Sequence, residues 1–192
     1  MSAILESTTI IESFKTRAEA VSAQVQRVAT KELAIELIVR LLHQEGVEEK
    51  PQSHAVWASC RMIGPVEKKK LEAAVPGIRF DVTRELAADA KVGISQLDWA
   101  LANTGTLVQT ADAVDQRLVS TLPPVHIALI STAALLPDLP ALLTRVDPRK
   151  SAYLAFITGP SRTADIERVL TIGVHGPERL IIVLVDDLEV AA

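Results

Sequence analysis

The stretch with the clearest chemical potential is TGPSRT at residues 158–163, which follows an apolar run. Gly159 permits a close backbone approach, and the Arg162 guanidinium can bind a carboxylate or phosphate through two parallel hydrogen bonds. If a helix begins here, its free N–H groups also favour an anion. The stretch therefore predicts a small-anion site. Its candidate ligand-binding residues are Gly159, Ser161, Arg162 and Thr163.

The same residues have a second interpretation, as the cap of a helix running to about Ile172. A hydroxyl of Ser161 or Thr163 in this position accepts a backbone hydrogen bond, which stabilises a helix by about 1 kcal/mol. Asp165 and Glu167 in the first turn would complement the helix dipole and repel a bound anion. Both interpretations stay open. The full Gly-x-x-x-x-Gly-Lys-Ser/Thr pattern is missing, so ATP is not indicated.

A second candidate is GVHGP at residues 173–177, where two glycines flank a histidine. His175 is a candidate acid–base group because the ordinary pKa of histidine lies near neutrality. Its alternative role is to cap the end of the preceding helix, where a cation is favoured. We include His175 and Gly176 among the candidate ligand-binding residues.

A third candidate is the turn NTGT at residues 103–106. Small polar groups on a turn beside a strand are suited to hydrogen-bonding a small ligand, although asparagine and glycine are also what a tight turn requires. The candidate ligand-binding residues of this turn are Asn103, Thr104, Gly105 and Thr106.

Composition narrows the class of protein. The 192 residues carry a net charge of −4 and contain no long basic block, so nucleic acid is not the expected partner. The only cysteine, Cys60, cannot form an internal disulfide or hold an iron–sulfur cluster by itself. The histidines show no metal-ligand spacing, and we predict no metal site. No signal peptide or membrane-length apolar run is evident, so we predict a cytoplasmic protein that does not insert into membranes.

The remaining pattern predicts the fold. Residues 10–46 lack proline and glycine before Gly46 and repeat apolar positions every three or four residues, which is typical of one helix or of two helices divided near Thr30-Lys31-Glu32. From there on, short apolar runs alternate with helical stretches, as in a largely parallel sheet covered on both faces. The sequence predicts a three-layer α/β/α domain at 47–192 with an N-terminal helical arm at 1–46. Ligands of such sheets bind beyond the carboxyl ends of the strands, and the predicted strand at 152–157 ends at the TGPSRT stretch.

Three segments taken together resemble the LUD domain of the lactate utilization protein C family. They are ANTGTLVQTADAVDQRLVSTLPPVHIALI at 102–130, ITGPSRTADIE at 157–167 and GVHGPERLIIVLVDD at 173–187. The resemblance implies a fold like that of the NagB/RpiA/CoA-transferase group. It also implies a role in oxidising L-lactate to pyruvate beside separate iron–sulfur protein subunits. Many relatives carry an acidic residue at the position of Asn103, and a carboxylate there would resemble the acyl-accepting glutamate of CoA transferases. Because this chain has an asparagine instead, we do not expect it to carry out covalent acyl transfer.

Three functions follow as hypotheses. The first is a subunit of a cytoplasmic lactate-oxidation system that contributes a small-anion site, with iron–sulfur clusters held by its partners. The second is a stand-alone enzyme or sensor that binds a carboxylate, a phosphosugar or a CoA-type ligand at the strand ends. The third is an assembly module with the N-terminal helix as its handle. The sequence does not decide whether the chain is itself catalytic.

Overall fold

The computed structural model describes residues 2–151, 153–164, 170–172 and 176–190. The helices, in chain order, are α1 (Ser2–Ala20), α2 (Lys31–Gln44), α3 (Pro65–Ala74), α4 (Arg84–Asp89), α5 (Val114–Thr121) and α6 (Leu139–Leu143). The strands are β1 (Gln24–Val28), β2 (Ala55–Trp57), β3 (Ile78–Arg79), β4 (Val92–Gln96), β5 (Trp99–Leu101), β6 (Thr106–Thr110), β7 (Val125–Ser131), β8 (Leu135–Leu136), β9 (Leu154–Ile157), β10 (Arg162–Ala164), β11 (Leu170–Ile172) and β12 (Arg179–Val185).

The main sheet has six strands in the order β1-β12-β7-β4-β2-β3, and every neighbouring pair is parallel. The connection that leaves β2 leads outward to β3, whereas the connection that leaves β4 leads the opposite way to β7. A crevice opens beyond the carboxyl ends of two such neighbours, and ligands of open α/β sheets bind there. The carboxyl ends of β2 and β4 are therefore the expected place for a ligand.

Both faces of the main sheet are covered, which confirms the predicted three-layer architecture. Along β7, Ile127 and Leu129 pack against α2 on one face, while Ala128 and Ile130 pack with α1 on the other. This alternation is the two-residue period of a strand buried on both sides. On its own side, α1 contributes Ile11, Phe14 and Ala18, which are spaced to form one helical stripe.

A second sheet, ordered β8-β5-β6-β9, lies on the same side of the main sheet as α1. Its β5–β6 and β6–β9 pairs are antiparallel. The strand predicted at 152–157 is β9, so its assignment to the parallel sheet is wrong. The apolar run fits either sheet equally well, and only its pairing with β6 decides.

Two helix predictions are also wrong. The helix predicted over 10–46 is interrupted by β1, which pairs with β12 at the edge of the main sheet, although its second half does begin at the predicted boundary, since α2 starts at Lys31 with Thr30 as its N-cap. The helix predicted from Ser161 or Thr163 to Ile172 is replaced, where the structure describes it, by β10 and β11, which pair antiparallel. The first contradiction means that residues 1–46 contribute a strand to the sheet as well as two helices. Whether residues 47–192 fold alone stays a prediction.

The apolar faces of these elements serve the protein's own core. In the part of the chain that the structure describes, no helix is both long and apolar enough to cross a membrane.

Candidate functional site

The three bends singled out from the sequence meet in the structure. β6 and β9 are antiparallel with Leu107 opposite Ile157, which brings Thr106 beside Thr158. Their hydroxyl oxygens lie 2.9 Å apart. The third bend joins them because the Ser161 N–H donates to the Pro177 carbonyl at 2.8 Å. Residues far apart in sequence therefore form one cluster.

This cluster lies at the amino edge of the main sheet, which contradicts the predicted carboxyl-edge position. Pro177 comes just before β12, and the next N–H, that of Glu178, donates to the carbonyl of Pro124 at 2.8 Å, just before β7 begins. β9 belongs to the second sheet, so its end does not mark the carboxyl edge of the parallel strands.

The cluster packs on the turn between α1 and β1. The Arg162 guanidinium donates to the Val21 carbonyl at 2.9 Å and to the Ser22 hydroxyl at 2.5 Å. Gly105 and Gly159 both have positive φ, and a Cβ added to either would lie 2.3–2.4 Å from the backbone of α1 or of the turn after it. The two glycines are therefore required for close approach to α1, and Arg162 already holds partners within the protein.

The other candidate residues of these bends have the following places. The side chains of Asn103 and Thr104 are exposed, and the Thr106 hydroxyl donates to that of Thr104 at 2.8 Å. Gly176 lies against the Ser161 side chain. Thr163 is in β10. His175 lies outside the described residues, so its acid–base role stays a prediction, as do the ligand-binding roles of the whole set.

A second site lies where the sheet topology places it, beyond the carboxyl ends of β2 and β4. A cavity of about 390 Å³ opens there. Its lining residues follow β2, end β4, flank the second sheet or begin α5. They are Ser59, Cys60, Arg61, Gln96, Asp98, Thr110 and Gln116.

Two polar groups that line this cavity have unused hydrogen-bonding capacity. Gln96 is only 9 % exposed, and its side-chain Oε1 has no hydrogen-bond partner. Arg61 is exposed, and among the described residues its guanidinium makes no hydrogen bond or ion pair. A buried acceptor without a donor costs free energy, and a ligand that supplies the donor removes that cost.

The other walls of the cavity are fixed by internal hydrogen bonds. Asp98 Oδ2 accepts from both the N–H and the hydroxyl of Thr110, each at 2.6 Å. Asp115, in the first turn of α5, accepts from the Ser59 N–H at 2.9 Å. These bonds hold the loop after β2 and the end of β6 in place, so the cavity is largely preformed.

Comparison with known proteins settles the family. The family model described as the LUD domain matches residues 11–185. The chain belongs to the LUD domain family. This confirms the resemblance drawn from the three sequence segments.

Similar proteins include two bacterial relatives, both called "Lactate utilization protein C". One, from an Exiguobacterium species, is 42 % identical over 114 residues, which are 56 % of this chain and 50 % of that protein. The other, from Halalkalibacterium halodurans, is 37 % identical over 109 residues, which are 54 % and 47 % of the two chains. The LUD chain thus spans about half the length of the curated relatives it matches.

The fold of this LUD domain also matches a solved structure. It is a crystal structure of a DUF162 family protein from Deinococcus radiodurans, with a TM-score of 0.65. The match covers 93 % of this chain and 98 % of that one at 19 % identity. At this identity the likeness supports the α/β architecture.

Cys60 is the one thiol of the LUD domain, and it lines the cavity. Burial raises the pKa of this thiol, so it is protonated at neutral pH and is a poor nucleophile. Within the described residues, no three His, Cys, Asp or Glu side chains come close enough to hold a metal ion.

A buried pair, Ser95 on β4 and His126 on β7, lies on two neighbouring strands of the main sheet. The Ser95 hydroxyl and His126 Nε2 are 2.8 Å apart, and His126 is fully buried with no partner on Nδ1. Desolvation lowers the pKa of His126 to about 4, so the ring is neutral at physiological pH. No solvent reaches it, and it is better explained as part of the core than as an acid–base group.

Sequence reasoning missed the cavity because it missed β4. The residues VGISQ contain a glycine and two polar residues, and they lack the continuous apolar pattern of the other central strands. Unless β4 is recognised as a strand, the sequence does not reveal that the connections from β2 and β4 lead in opposite directions. The available signal was the polar triplet Ser59–Arg61 directly after the apolar run of β2.

Proposed function

We propose that this chain is a LUD-domain component of a lactate utilization system, in which it binds a small organic acid and acts with iron–sulfur partner proteins in the cytoplasm. The family match over residues 11–185 and the relatives called "Lactate utilization protein C" support a role in lactate utilization. The binding role rests on one observation, the polar cavity beyond the ends of β2 and β4.

The assignment of separate roles to this chain and to its partners follows from the chemistry of lactate oxidation. Oxidation of lactate to pyruvate removes two electrons, which a chain of iron–sulfur clusters can accept one at a time. Each cluster needs several cysteine ligands, and this chain has only Cys60. We therefore place the clusters in partner subunits and the acid-binding site in this chain.

Affinity purification from cells grown on L-lactate tests the partnership. We expect the tagged full chain to co-purify with a cysteine-rich protein that carries iron and acid-labile sulfide, and the same preparation to reduce an electron acceptor when L-lactate is added. Cells grown on glucose serve as the control. Purification of the chain alone from lactate-grown cells, together with normal growth on lactate after deletion of its gene, would contradict the proposal.

A stand-alone enzyme or sensor is the second candidate, because one chain supplies every described residue that lines the cavity. It predicts that the purified chain acts without partners. Turnover of L-lactate by the chain alone with an artificial electron acceptor would favour this candidate, and a requirement for the iron–sulfur protein would favour the first.

A further inference from the structure

We infer that the cavity beyond β2 and β4 is a 2-hydroxy acid site, in which Arg61 binds the carboxylate and Gln96 accepts the hydroxyl hydrogen bond. The inference rests on the proposed function for its choice of ligand class. It goes further in assigning the binding residues, which lie away from the three bends that mark the family in the sequence.

The carboxylate assignment follows from charge. Among the lining residues of the cavity, Arg61 is the only cation, and it has no partner in the part of the chain that the structure describes. Asp98 lines the same cavity and Asp115 lies beside Ser59. One carboxylate in the cavity and another beside it, against a single guanidinium, disfavour a dianion such as a phosphate ester and leave room for a single negative charge.

The hydroxyl assignment follows from unused acceptors. Oε1 of Gln96 is buried without a donor. Oδ2 of Asp98 is taken by Thr110, and Oδ1 makes no hydrogen bond within the described residues. A ligand that brings a carboxylate alone would leave the buried Gln96 acceptor unpaired. A hydroxyl next to the carboxylate donates its single O–H to Gln96, so the cavity is expected to prefer a hydroxy acid to the matching plain acid.

The size of the cavity agrees with this class. A volume of about 390 Å³ lies at the lower end of the range usual for small-molecule sites. It holds lactate with ordered water, or a 2-hydroxy acid with a longer side chain. The site is therefore expected to be more selective for the carboxylate and hydroxyl groups of the ligand than for its side chain.

The lone cysteine provides a local test. Because Cys60 lines the cavity and is the chain's only thiol, its alkylation by iodoacetamide, followed by intact mass, reports on this cavity. Burial raises the pKa of the thiol, so the reaction is run at mildly alkaline pH, where enough thiolate forms for a measurable rate. We expect L-lactate to slow alkylation with the same half-saturation concentration that calorimetry gives for binding. Propionate, which lacks the hydroxyl, is expected to need at least a tenfold higher concentration.

Two variants separate the assigned roles. Arg61→Gln is expected to weaken L-lactate binding by about 10- to 100-fold, the loss typical of a charge-assisted hydrogen bond. Gln96→Met keeps the shape and removes the amide, so we expect it to reduce the preference for L-lactate over propionate while propionate binding changes little. Arg40→Gln, on the exposed side of α2, removes the same charge elsewhere and is expected to bind like the unaltered chain.

Several results would overturn the inference. They are calorimetric binding that leaves the Cys60 alkylation rate unchanged, equal affinity for L-lactate and propionate, undiminished binding by Arg61→Gln, and no binding of L-lactate at tens of millimolar. Failure of the proposed function is recognised separately. Protection of Cys60 by L-lactate without any iron–sulfur partner in the cell would leave the site assignment standing and remove the partnership.

Discussion

At the scale of single residues, buried His126 links stability to pH. Its pKa of about 4 in the folded protein lies below the ordinary value of 6.5. As the pH falls from about 6.5 to about 4, the unfolded chain takes up a proton that the folded chain does not, so the folded state loses stability in this window. The loss attributable to this ring approaches about 3 kcal/mol at the acid end.

We therefore predict that His126→Gln flattens the fall in unfolding free energy between pH 6.5 and pH 4, measured by urea denaturation. The substitution also costs stability at pH 7, because Ser95 loses its partner, so the slope with pH is the informative quantity. His43→Gln, at an exposed position, is the matched control. An unchanged slope in His126→Gln would show that other groups carry the acid sensitivity.

Arg162 gives a second prediction at this scale. Its guanidinium bonds the Val21 carbonyl and the Ser22 hydroxyl, so Arg162→Ala is expected to lower stability by about 1 kcal/mol and the melting temperature by roughly 2–4 °C. L-lactate binding should not change. Arg149→Ala, which breaks a local surface pair between an exposed arginine and Asp147, is expected to have a smaller effect. Lost binding with an unchanged melting temperature would restore the anion-binding interpretation of Arg162.

At the scale of elements, local sequence predicted the helices better than the pairing of strands. Pro65–Ala74 is an example, because the sequence marks both ends of this helix: a proline opens it and the pair Pro76-Gly77 follows it. The sequence predicts helix at β1, because QVQRV mixes residues that suit helices with valines that suit either state. Its strand conformation depends on pairing with β12, a long-range contact that no local pattern contains.

The same reasoning explains how the candidate site was only partly predicted. The meeting of the three bends was predictable, since glycine and small polar residues mark turns and β6 and β9 join two of them. The edge of the main sheet at which the bends meet was not predictable, because the direction of β9 depends on its antiparallel partner. The cavity depends on β4, whose polar residues Ser95 and Gln96 line the core and the cavity and so disguise a central strand.

β1 also makes a prediction at the element scale. Deleting residues 1–46 removes the strand that covers one edge of β12, whose sequence is almost wholly apolar. An uncovered apolar edge favours aggregation. We expect the truncated chain to be insoluble or to lack a cooperative melting transition, measured by size-exclusion chromatography and circular dichroism. A monomeric truncated chain with a cooperative transition would instead support an N-terminal arm separate from the α/β domain.

At the scale of the whole molecule, ligand binding must appear as added stability. A ligand that binds only the folded state at 100 times its Kd adds about 2.7 kcal/mol, which for a domain of this size raises the melting temperature by roughly 5–10 °C. We predict such a shift with L-lactate by differential scanning fluorimetry. Arg61→Gln, with binding 10- to 100-fold weaker, should show about half of this shift or less at the same concentration, and an equal shift in both proteins would place the ligand elsewhere.

The register of β1 against β12 has a consequence for biosynthesis. Gln24 lies opposite Ile181, so β1 is synthesised long before the strand that it pairs with. The main sheet cannot be completed until β12 has left the ribosome, and β1 must wait in an unpaired state. Contacts between the two ends of a chain slow folding because a long loop has to close first. Premature termination before residue 179 would therefore leave this nascent strand permanently without its neighbour, exposed to chaperones and proteases.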